Sequence, residues 1–172
     1  MNLLEMLESV GGTESLGSLA GSLGLDASKA NDLVGAVAPA LLGGLKKQAT
    51  ADGGLAGITR ALQTGNHQRY VENPDLMASE ETRMDGNKIL GHLLGSKDTS
   101  RNVAAQAAES TGIDVSLIKK ALPMIAGLAM GAMSKSSDAG NASADSIGGL
   151  LGGLVGDDFG VDDVLNLAKK FF

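Results

Sequence analysis

The chain has 172 residues, 43% hydrophobic but only 2% aromatic, with a net charge of −6 and no cysteine. At this length one domain buries about 70% of the surface of its unfolded chain, so a core needs no staple, and the lack of Cys excludes disulfides, thiol catalysis and thiolate metal sites while suiting a reducing compartment. An acidic chain with one Tyr, three Phe and no lysine-arginine cluster lacks the electrostatic footprint and stacking platforms of nucleic-acid binding.

In chain order, Leu3, Leu4 and Leu7 form a short amphipathic turn closed by Gly11 and Gly12, and Thr13 or Ser15 can cap a helix running to about Leu23. The opening Met1-Asn2-Leu3-Leu4-Glu5 places an acid where a secretory signal wants positive charge, so a cytoplasmic location is expected. Gly24 supplies a left-handed terminus, and Asp26 or Ser28 can cap a helix carrying an Ala30 to Leu45 stripe, kinked or broken near Pro39. A short helix around Leu55, Ile58 and Leu62 follows Gly53-Gly54. The segment 64–85 is polar, contains Asn73-Pro74 and shows no sustained apolar period, which predicts a connection.

Ile89, Leu90 and Leu93 then open a second helical unit, Asp98, Thr99 or Ser100 can cap the helix holding Ala104 to Ala108, and Gly112 ends it. A last long helix runs past Pro123 toward Met133. Residues 134–146 turn to Ser, Asp, Asn, Ala and Gly and read as a flexible linker. A Gly-spaced stripe of Ile147, Leu150, Leu151 and Leu154 follows, and a final amphipathic helix is expected over Val161 to Phe172, capped by Asp162 or Asp158.

Two of these units are one pattern used twice. Residues 16–45 align without a gap with residues 104–133: Leu16, Leu19, Ala20, Ala30, Leu33, Val34 and Val37 meet Ala104, Ala107, Ala108, Ile118, Ala121, Leu122 and Ile125. Between the apolar stretches Gly24-Leu25-Asp26-Ala27-Ser28 faces Gly112-Ile113-Asp114-Val115-Ser116. No stretch alternates with a period of two long enough for a strand. The expected fold is all-α: two repeated helix-turn-helix-like units, 1–63 and 86–133, a connecting segment 64–85, a linker 134–146 and a Gly/Leu-rich helical segment 147–172.

Each candidate site has a plain structural alternative. In a DNA-reading helix-turn-helix the second helix presents Arg, Lys, Asn or Gln to base edges. Here its outward positions hold Asp26, Ser28, Lys29 and Asn31 in one copy and Asp114, Ser116, Lys119 and Lys120 in the other, and an acid at the groove-facing start repels phosphate. The motif therefore reads as a packing unit, with nucleic-acid binding as the alternative. Residues 121–133 are apolar but shorter than the roughly 20 residues of a membrane span, so a core helix is expected, with peripheral membrane contact by the Gly/Leu tail as a further alternative. Met124, Met130 and Met133 read as adaptable core filler.

His67 and His92 are the only imidazoles, and no carboxylates at metal spacing accompany either; His92 reads as a hydrogen-bonded structural histidine. Gly148-Gly149-Leu150-Leu151-Gly152-Gly153 lacks the strand and the Lys-Ser/Thr pair of a phosphate loop. No catalytic, cofactor-binding or metal residue is assigned, no cofactor is expected, and the chain reads as a non-enzyme.

The string Gly86-Asn87-Lys88-Ile89-Leu90-Gly91-His92-Leu93-Leu94-Gly95-Ser96-Lys97, followed by Gly112-Ile113-Asp114 and Leu122-Pro123-Met124, resembles the YidB-like bacterial family of unknown function (DUF937). The resemblance covers roughly residues 1–133. It implies a small all-helical fold with a homeodomain-like helix arrangement and transfers no catalytic residue. Two full copies and a Gly-rich tail go beyond the single unit of the family's shorter members. The expected role is protein-protein interaction or self-association with an unidentified partner.

Overall fold

Local end signals divide the chain into helices. A computed structural model describes residues 2–137 and 144–155, and every regular element among them is helical. Asn2 and Glu5 form a reciprocal capping box at the start of α1 (Leu3–Ser9), satisfying amides that the first turn leaves without partners. α2 (Thr13–Leu23) ends at Gly24, whose φ of 68° is the left-handed conformation that costs a Cβ-bearing residue most. Asp26 then caps α3 (Ala27–Thr50) by accepting from the Lys29 amide at 2.8 Å. The same phrase recurs after α7 (Lys97–Thr111): Gly112 has φ 71°, and Asp114 caps α8 (Val115–Ser136) by accepting from the Ser116 amide at 2.8 Å. Between them lie α4 (Gly54–Thr64), α5 (Arg69–Glu72), a 3-10 turn at Pro74–Ala78, and α6 (Glu80–Leu94). α9 (Ala144–Val155) follows α8.

The structure differs from the sequence-based expectations at several ends. α2 is preceded by Gly12, with no side-chain cap; Ser15, expected as a candidate cap, is fully buried and donates instead to the Val71 carbonyl at 3.0 Å. The cap of α7 is Ser96, accepting from the Thr99 amide, rather than Asp98, Thr99 or Ser100. Gly95, at φ 77°, ends α6 and leaves Ser96 as the first residue extended enough to cap the next helix. Pro39 and Pro123 each lie inside an unbroken helix: α3 runs through Pro39 and α8 through Pro123.

The segment 64–85 joins the two helical units but is more than a connection. Its short helical pieces send Tyr70, Val71 and Met77 into the core, and the start of α6 adds Thr82. Ser134, at the start of the expected linker, is still within α8 and buried, donating to the Leu62 carbonyl. Residues 135–136 complete α8, Ser137 caps it and residues 144–146 open α9, so both ends of the expected linker are helical; residues 138–143 and the expected helix 161–172 lie outside the described residues.

Packing follows the apolar stripes. α2 lies on α3 as α7 lies on α8, α1 touches both α3 and α8, and α6 likewise touches both. The two long helices therefore share one core rather than heading separate ones. α8 is the central element: 14 of its 22 residues are buried. It is the one helix among the described residues long and apolar enough to cross a membrane, but 67% of its apolar window is covered by the protein, the pattern of a core helix. α9 seats on α3 and α4, with Ile147 fully buried.

Candidate functional site

The sole tyrosine is the largest fully buried side chain, and a charged network closes over its hydroxyl. α5 supplies Arg69 and Tyr70, and the first turns of α6 supply Glu81 and Asp85. The Tyr70 hydroxyl donates to Asp85 Oδ2 at 2.5 Å, and one Arg69 nitrogen donates to both the Tyr70 oxygen and Asp85 Oδ2 at 2.9 Å. The other terminal nitrogen of Arg69 reaches Glu81 at 2.7 Å. Arg69 also lies over the Tyr70 ring, 4.9 Å from its centre. Burial, followed by the bond to Asp85, pushes the Tyr70 phenol up to about 12, whereas the donated Tyr70 proton holds Asp85 below the usual carboxylate range. The phenol keeps its proton and the carboxylate stays ionised around neutral pH, and the network ties α5 to α6.

Beside it a cavity of about 350 Å³ opens between α3, the turn into α4, α4 itself and α6. Its walls are mostly apolar: Leu45, Ile58, Ala61, Ile89, Leu93 and Met130. Its polar groups are Gln48, Asp52, His67 and His92, so both imidazoles of the chain face one space although 25 positions separate them in sequence. His67 is 8% exposed, stacks obliquely 6.1 Å from Tyr70, and has no hydrogen-bond partner at Nδ1. Burial holds its pKa below the ordinary value, partly countered by Asp85, so the imidazole is uncharged at neutral pH. His92 sits exposed at the rim, and its carbonyl rather than a buried ring anchors the wall, accepting from Gln48 Nε2. Sequence reading missed the pairing because no local signal links the two histidines; their rarity was the one available hint.

A sequence profile of bacterial proteins of unknown function (DUF937) matches residues 5–136, which include every residue of this network and cavity. The chain belongs to that family. No curated protein and no solved structure matches it.

In this DUF937 chain the helix-turn-helix-like segments commit their leading acids to structure. Asp26 and Asp114 are exposed, but each carboxylate accepts from an amide of its own helix, and the Ser116 hydroxyl, followed by the Ser116 amide, holds Asp114 below the usual range. Ser28, Lys29, Asn31, Ser116, Lys119 and Lys120 all face outward as solvated groups. Met124, Met130 and Met133 are buried on α8, with Met130 forming part of the cavity wall. Among the described residues no group of three His, Asp or Glu is placed to hold a metal ion.

Proposed function

We propose that the protein is a non-enzymatic, cytoplasmic interaction module that works by self-association through the outer face of α9. One observation carries this reading. Gly149 and Gly153, one helical turn apart, are exposed with open space where a side chain would stand, on a helix whose Ile147 anchors it to α3 and α4. Small residues at this spacing let a second helix approach backbone to backbone. A second copy offers the same stripe, so a two-fold contact satisfies both chains at once. Elsewhere among the described residues Met84 is the one large hydrophobic side chain strongly exposed. The acidic exterior, with a net charge of −6, argues against a nucleic-acid partner.

The same reading takes 1–63 and 86–133 as two copies of a homeodomain-like helical unit that serves as the scaffold. Its support is the matched left-handed glycines, Gly24 and Gly112, the matched caps, Asp26 and Asp114, and the reciprocal packing of α1 and α6 on both long helices.

Light scattering of the wild type and of the double variant Gly149→Leu, Gly153→Leu over a wide concentration range tests the proposal. Because a Cβ at either position meets nothing, the variant keeps its fold and is expected to stay monomeric while the wild type associates. A wild type that is monomeric throughout, or a variant that associates equally well, overturns it.

A further inference from the structure

We propose that the cavity between α3, α4 and α6 binds a small, uncharged, mainly apolar molecule carrying one hydroxyl group, with His67 as the group that meets the hydroxyl. The apolar walls require an apolar body, since a charged or strongly polar ligand gives up its hydration without replacement. At about 350 Å³ the space lies at the small end of ligand pockets, suited to a single ring or a short branched chain.

The polar side of the argument rests on His67. Among the polar side chains of the wall His67 alone is buried, so a polar ligand atom inside the cavity meets this imidazole where water has the least access. A neutral imidazole offers one donor and one acceptor nitrogen; a hydroxyl both donates and accepts, so it fits whichever tautomer is present. Asp52 at the wall and the acidic balance of the chain disfavour a carboxylate or phosphate in the same space.

The wall also contains a natural control. Gly57 lines the cavity, and a Cβ there meets no atom, so the wall takes a larger side chain at this position without displacing backbone. Gly54, by contrast, sits against the Gln48 carbonyl and has no such room.

The test titrates 4-methylphenol, toluene and 4-methylbenzoate into the full chain with methyl-labelled methionine, following the Met130 methyl signal by NMR. The expected result is a saturable Met130 shift with 4-methylphenol, with toluene weaker by about tenfold for the lost hydrogen bond and 4-methylbenzoate weaker still. Gly57→Leu is expected to abolish the shift, and His67→Phe to reduce 4-methylphenol to the level of toluene. Gly57→Leu carries the test independently of whether His67→Phe folds. No saturable shift with any probe, equal affinity for 4-methylphenol and toluene, or undiminished binding in Gly57→Leu overturns the proposal. Self-association through α9 does not enter these outcomes.

Discussion

Gly86 of α6 lies directly against the carbonyl of Pro123 in α8, so close that a Cβ at position 86 would overlap the Pro123 backbone. This approach sits in the most extensive helix pairing of the fold, and neither backbone can yield without moving a helix. Gly86→Ala is therefore expected to destabilise the protein by about 1–3 kcal/mol, the range of overpacking in a closed core. Gly21→Ala should do the opposite. It lies within α2 facing open space, so the substitution removes backbone entropy from the unfolded chain and stabilises by about 0.5–1 kcal/mol. Urea unfolding of the two variants checks the pair; a neutral Gly86→Ala would contradict the close approach.

Tyr70 is the only tyrosine and there is no tryptophan, so its ionisation can be followed by near-ultraviolet absorbance without interference. The folded phenol is raised from 10.0 to about 12. The unfolded chain releases this proton first, so the stability it contributes is complete below pH 10 and lost as pH rises toward 12. Phenolate absorbance appearing near pH 10 in the folded protein would count against the network.

Tyr70→Phe leaves the ring in place and removes the hydroxyl that bridges Asp85 and Arg69. The expected cost is about 1–3 kcal/mol, because a half-buried carboxylate oxygen loses a donor. In the variant the Asp85 carboxyl should titrate closer to its ordinary value, a shift measurable by carbon-detected NMR, since the Tyr70 bond is the main cause lowering it.

His67 works on the acid side. Its folded pKa lies below 6.5, so the unfolded state takes up a proton first as pH falls, and stability declines from pH 6.5 downward through the folded pKa. Asp85 and Arg69 are the charged groups that modulate it, with opposite signs. Thermal unfolding between pH 7.5 and 5 should show a smaller loss in His67→Phe than in the wild type; equal slopes would assign the loss to other groups.

Asp26→Ala removes the acceptor for the Lys29 amide at the start of α3 and should cost about 0.5–2 kcal/mol, read as a lower urea midpoint. Asp26→Asn, which keeps an acceptor oxygen, should recover most of it.

The helix ends that carry Gly24, Asp26, Gly112 and Asp114 were legible because each signal acts within a few residues, and because the phrase occurs twice in register. The cap at Ser96 was obscured by three equally suitable residues just beyond it, and only the turn at Gly95 decides among them. The burial of Tyr70 and Met77 was not legible: their helical pieces are too short to show a period, and their place in the core comes from packing against α2 and α8. The cavity was invisible for the same reason, as His67 and His92 meet through tertiary contacts that sequence spacing does not encode.

Two contrasting groups stand out among the glycines inside helices. Gly44, Gly86 and Gly131 are wedged against neighbouring backbone, while Gly17, Gly21, Gly35 and Gly57 border vacant space. The first group is a structural necessity, but the second forfeits helix stability that alanine would supply at no steric cost. A chain that leaves those four sites bare holds an untapped thermal reserve, open to protein engineering without any redesign of the interior.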